Sequence, residues 1–217
     1  MQDPIEPQTN YAGKIIAFTC IIAMSYAVLR YHIVGDVPWK DFPFLILNKG
    51  ISLSAFILIT FNFSLGPLNN LGIKVPKGWL NARPAMGMTG FLLVLIHSLM
   101  SFMIFNPAVF GKFFESDGSL TLFAGLSMLG GILSFVTLWA FNLAFKTHMR
   151  EDKAFIGFIT SRRFLMIALL FGIAHIFFMG FQGWMNPSGW QGGLPPISLV
   201  AFSFCTVGYV INIFGRE

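Results

Sequence analysis

Residues 81–105, NARPAMGMTGFLLVLIHSLMSFMIF, and residues 160–184, TSRRFLMIALLFGIAHIFFMGFQGW, follow one plan. Each opens with arginine at a polar edge, continues as an apolar stretch of helix length and carries a single histidine. His97 comes fourteen residues after Arg83, and His175 comes twelve after Arg163. At a rise of ~1.5 Å per residue, each imidazole lies roughly 18–21 Å beyond its cationic edge. On parallel helices the two histidines share a depth.

The surrounding chain says what solvent these stretches meet. Of 217 residues, 55% are hydrophobic and only 11% charged, against about 25% charged in soluble domains. The composition is that of an integral membrane protein. The net charge of +5 is not read as nucleic-acid binding, because the cations sit at helix ends and connections, where they set orientation. The 26 Phe are first an apolar surface for lipid and helix packing. Cys20 and Cys205 each fall inside an apolar segment, which gives no disulfide framework, and no CxxCH is present for covalent haem attachment.

Six apolar runs are legible, at about 15–29, 50–65, 86–105, 120–145, 164–181 and 197–214. Gly66-Pro67 is expected to stop the second. The fold expected is an all-α membrane protein, a six-transmembrane-helix bundle of one domain over residues 14–215, with residues 1–13 as a polar tail rather than a cleavable signal. Odd-numbered spans share a direction, so the third and fifth are parallel. One side of the bundle then carries ten cations: Lys14, Lys74, Lys77, Arg83, Lys146, Arg150, Lys153, Arg162, Arg163 and Arg216. The other carries four: Arg30, Lys40, Lys49 and Lys112. The positive-inside rule puts both termini in the cytoplasm. Trp39, Trp184 and Trp190 then read as anchors at the outer interface.

A histidine inside a span is costly unless it is paired or ligating. The plainer reading makes His97 and His175 hydrogen-bond donors to neighbouring helices. The sharper one makes them axial ligands, since two imidazoles facing each other at one depth are what a six-coordinate haem needs. Gly87, Gly90, Gly172 and Ala174 either let helices part around a flat macrocycle or simply allow close packing. For the macrocycle's propionates, Lys49, Lys112, Gln182 and Trp184 are candidates if they point outward, and Arg83, Arg162 and Arg163 if they point inward. His32 reads as an interfacial residue beside Tyr31, and His148 as part of a solvated cytoplasmic run or of a docking surface for an electron donor. No GxGxxG with a ribose-binding acid, HExxH, CxxC or P-loop occurs, and no carboxylate falls inside a span. Any chemistry is therefore borrowed from a bound cofactor.

The segment 59–68, ITFNFSLGPL, together with Arg83, Gly87, His97, Arg163 and His175 in that order and spacing, resembles the ferric-reductase-like transmembrane domain. Within that family it is most similar to the haem-binding membrane subunit of the bacterial periplasmic methionine sulfoxide reductase system. The resemblance covers about residues 52–181. It implies b-type haem in a bacterial inner membrane, with His97 and His175 as outer-side iron ligands and Arg83 and Arg163 at the cofactor. Family positions for a second, inner pair of histidines fall here on Pro84 and Arg162, so one haem is expected. The cytoplasmic-side step is left to a quinol or quinone, a flavin on the inner loops, another subunit or His148.

The function expected is that of a membrane b-type cytochrome. It is the electron-transfer subunit of an oxidoreductase, handing electrons to a partner protein or an external acceptor such as ferric iron. The expected surroundings are membrane lipid, donor and acceptor proteins or quinol, and no nucleic acid. Two other classes remain open: a cofactor-free structural subunit of a larger membrane complex, which would be colourless, and a small transporter, which needs a polar path that Ser52, Ser54, Asn62, Ser64, Ser98 and Ser127 supply only thinly.

Overall fold

A computed structural model describes residues 11–144 and 152–215. Six helices are long and apolar enough to cross a membrane. They are α1 (Tyr11–Val28), α2 (Leu47–Asn70), α3 (Lys77–Ile104), α4 (Leu122–Leu143), α5 (Arg162–Trp184) and α6 (Ile197–Phe214). Among the described residues there is no strand, only one isolated bridge between Phe114 and Leu120. The surface of the bundle is apolar: Leu92, Ile96, Leu99 and Met103 on α3 and Leu129, Ile132 and Val136 on α4 are exposed. That suits a lipid surround, in which apolar side chains need no cover.

Local chemistry sets the helix ends. Thr121 Oγ1 accepts from Ala124 N to start α4, and Ser161 Oγ accepts from Phe164 N to start α5; such caps satisfy amides the first turn leaves unpaired. Two expectations about boundaries are corrected. The second span does not stop at Gly66-Pro67. A proline this near a helix end forfeits only one backbone bond, and α2 runs on to Asn70. The stop is Gly72, at φ 82°, with Gly72 N donating to Asn69 O and Ile73 N to Leu68 O. That pair of bonds is the Schellman closure, which needs a left-handed residue. The third span starts at Lys77, well before residue 86, because its first turns are polar and helical at once.

The hub is α2, which neighbours α1, α3 and α6 and is the most buried of the spans. Its buried polar residues explain the position. Asn48, Ser52, Ser54, Thr60, Asn62 and Ser64 are all buried on α2, and in a bilayer such groups must face protein. Ser54 and Ser64 return their hydroxyls to Gly50 O and Thr60 O, one turn back. A second layer is α5, packed between α4 and α6. Helices α3 and α4 meet only slightly, and this leaves a space between the α2–α3 pair and the α4–α5 pair.

An arginine is tied down at each end of the bundle. Arg30 is buried and ties the end of the first span to the loop before α6, through Nε to Leu194 O and Nη1 to Gln191 Oε1, both 3.2 Å. At the opposite end Arg162 donates to Ile213 O and Asn70 to Gly215 O. Helix α1 already begins at Tyr11, inside the stretch expected as tail, and Tyr11 packs on Gly78 at that same end. Trp184 is not a free interfacial anchor. Its Nε1 donates to Ser198 Oγ at 2.9 Å and its ring packs against Phe177 and Phe202, inside the bundle. Trp39 is exposed and its ring lies tilted against that of His32, and Trp190 donates to Gly183 O.

Candidate functional site

The space between the helix pairs is a cavity of about 520 Å³, within the range of about 300–1,000 Å³ typical of ligand and cofactor pockets. Its walls come from α2, α3, α4, α5 and, through Cys205, α6. They are mostly apolar, with Phe56, Ile59, Val94, Phe135 and Leu169 among them. It opens between α3 and α4, where Leu99, Phe102 and Ile132 both line it and lie exposed on the bundle surface. His97 on α3 and His175 on α5 line this one cavity. The two sequence segments built alike thus bring their imidazoles to a shared space.

Each ring is fixed through Nδ1. Asn48 spends its amide group on Ser101 Oγ (3.0 Å), so its Oδ1 is the acceptor for His97 Nδ1–H at 2.7 Å. Ser127 O, a carbonyl that can only accept, takes His175 Nδ1–H at 2.8 Å. The Ser127 hydroxyl is held beside it, donating to His175 O at 2.9 Å. Both imidazoles therefore carry their proton on Nδ1 and a lone pair on Nε2. Neither Nε2 has a hydrogen-bond partner among the described residues. A ring oriented through one nitrogen and open at the other is the arrangement of a metal-ligating histidine.

Glycine makes room for one of these rings. A Cβ on Gly131 would lie 2.9 Å from His175 Nδ1 and 3.2 Å from Cε1, so any side chain there displaces the ring. Gly172 also lines the cavity. Gly87 and Gly90 instead face Asn62 and Ile59 of α2, which makes them sites of close helix packing. Ala174 is not among the lining residues.

The cationic candidates divide. Arg83 Nε donates to Asn62 O, Arg163 is exposed at the start of α5, and neither lines the cavity of the histidines. Arg162 is engaged with Ile213 O, and Gln182 is exposed. Lys112 donates to the carbonyl of Met179, a lining residue, at 3.5 Å. His32 Nδ1 bonds Val37 O at 2.8 Å in the connection after the first span, as an interfacial residue does. His148 lies outside the described residues. Cys20 and Cys205 are free, the latter with Sγ 3.2 Å from Thr60 Oγ1.

Asn48, Ser127 and Gly131 complete the site and were not singled out from sequence as its parts. Asn48 precedes the second apolar run of about 50–65, so the sequence marks it only as part of a connection. Nothing in the spacing of residues connects Ser127 with His175. Among the described residues no group of three His, Cys, Asp or Glu is placed to hold a bare metal ion. Two imidazoles on an apolar cavity suit a metal whose remaining ligands arrive with it, as in a macrocycle. The donor set and the glycine-cleared wall fit that group. On the haem reading proposed below, Asn48→Leu, which removes the acceptor for His97 Nδ1–H, is expected to weaken haem binding about 10–100-fold, the usual cost of losing an outer-shell partner. Titrating haem into the purified variant and wild type measures it.

No protein-family model matches the chain, and no curated protein matches it.

Proposed function

We propose that this protein is a membrane cytochrome that holds one b-type haem between His97 and His175 and carries electrons across the bilayer. The observation that supports it is the pair of imidazoles on one apolar cavity, each anchored through Nδ1 and unbonded at Nε2. Bound haem supplies a reversible one-electron iron couple. The chain's own residues do the rest. His97 and His175 would hold the haem iron from α3 and α5, and ligation by two histidines would favour electron transfer over oxygen activation. Asn48 and Ser127 keep each ring in its tautomer and angle. The phenylalanine, leucine and isoleucine walls exclude water.

The count of one rests on the histidines. Among the described residues the one other histidine, His32, is engaged in a loop, and the positions where the ferric-reductase-like family carries inner ligands are Pro84 and Arg162. The ten-to-four distribution of cations supports termini on the cytoplasmic side, and the family resemblance implies a bacterial inner membrane. A quinol or a partner protein delivers electrons from the cytoplasmic side. A periplasmic partner enzyme, or a diffusible oxidant such as ferric iron, accepts them.

Electron flow is tested in sealed proteoliposomes with ferricyanide trapped inside and a membrane-impermeant reductant outside. Haem-loaded wild type is expected to reduce the trapped acceptor, and vesicles with His175→Ala are expected to match empty vesicles. Wild-type vesicles no faster than empty ones would exclude a transmembrane electron carrier.

A further inference from the structure

Two ammonium groups stand at one end of the histidine cavity. Lys49 follows Asn48, the residue that holds His97, and so lies inside a span. Its Nζ rests 5.6 Å from the centroid of Phe110. Lys112 lies in the turn Gly111–Phe113, with Nζ 4.8 Å from the centroid of Phe113 and 3.5 Å from Met179 O. Phe110 and Phe113 are stacked neighbours, 5.9 Å apart. Phe113 and Met179 belong to the cavity wall. Both cations therefore sit on one aromatic shelf at the cavity's rim.

Neither ammonium pairs with a carboxylate among the described residues. The acids nearest Lys112 in sequence, Glu115 and Asp117, are exposed, and Asp117 accepts from Ser119 N. Desolvation, with repulsion from Lys49 behind it, lowers the pKa of Lys112 from its ordinary value. The two charges thus lie within each other's field, and one of them is inside the membrane span, where an unpaired cation is costly. Two adjacent carboxylates would neutralise both. The arginines at the opposite end stand away from this shelf: Arg83 donates to Asn62 O and Arg162 to Ile213 O.

We propose that Lys49 and Lys112 bind the two propionates of the macrocycle held by His97 and His175, an assignment that rests on the haem reading above. The lysines supply charge and the histidines supply iron ligation, so the two contributions separate on porphyrins with and without free carboxylates.

The experiment titrates purified apoprotein in detergent with iron protoporphyrin IX and, separately, with its dimethyl ester. Wild type, Lys49→Gln, Lys112→Gln, the double variant, the double Lys→Arg variant and His97→Ala are compared. Each Lys→Gln change is expected to weaken binding of the diacid about tenfold, and the pair about a hundredfold, as lost charge-assisted hydrogen bonds would. Affinity for the diester is expected to stay at the wild-type value throughout, and the Lys→Arg pair to retain preference for the diacid. Unchanged diacid affinity in the double Gln variant, with binding still lost in His97→Ala, would overturn the lysine assignment and leave the haem site standing. An equal loss for diacid and diester would assign the lysines to packing and overturn it as well. Binding of neither porphyrin by wild type would remove the haem reading and this assignment with it.

Discussion

Replacing either His97 or His175 with alanine is expected to abolish the b-type absorbance of the purified protein while leaving the bundle folded. The loss should exceed the about 10–100-fold penalty of an outer-shell change, because a residue that would hold the iron is itself removed. The fold should survive because each imidazole is tied to a single residue of one neighbouring helix, His97 to Asn48 on α2 and His175 to Ser127 on α4, and interhelical hydrogen bonds average about 0.6 kcal/mol in membranes. His97→Gly and His175→Gly add a second readout: free imidazole should restore the spectrum by entering the vacated cavity. If the histidines were only structural donors, the same variants would lose thermal stability, wild type would be as colourless as they are, and imidazole would restore nothing.

The second large effect is expected at Gly130. A Cβ there would stand 3.0 Å from the backbone N of His175 and 3.1 Å from Phe171 O. Those are main-chain atoms of α5, so the contact cannot be relieved by turning a side chain, and α4 must move away from α5. Gly130→Val should therefore destabilise the bundle by about 1–3 kcal/mol, the usual cost of overpacking. It should also strip haem, because Ser127, the acceptor for His175, moves with α4. Gly131→Ala gives the contrast. Its Cβ would meet the imidazole ring rather than backbone, so haem affinity should fall with little change in thermal stability. Parallel thermal melts and haem titrations of the two variants separate helix spacing from ring position. Equal melting temperatures for Gly130→Val and wild type would contradict the close α4–α5 packing.

Much of the architecture was legible in the sequence because lipid imposes a simple rule: a long apolar run must become a helix that satisfies its own backbone. The sixth span, 197–214, falls where hydropathy puts it. Ends were less legible. The first turns of α3 carry Lys77, Asn81 and Arg83, and a hydropathy reading counts such residues as loop although they are helical. Pro67 looked like a terminator, whereas Gly72 ends the helix.

The candidate site divides in the same way. Depth counting from Arg83 and Arg163 brought out His97 and His175, and the structure brings both to one cavity. The same counting could not tell which cations lie beside them, because helical rotation decides that, and Arg83 and Arg163 face elsewhere. Nor could it identify α2 as the hub, although the row of small and hydroxylated residues on α2 was its visible trace. Ser127 and Gly131 touch His175 only through the packing of α4 on α5, a long-range contact with no local signature.

The central claim is haem held by this chain, and the most direct measurement is the visible spectrum of the purified wild-type protein, oxidised and dithionite-reduced, with a pyridine haemochrome count. The expected result is a sharp reduced α-band of b type and close to one haem per chain. A colourless protein after expression with ample haem would contradict it.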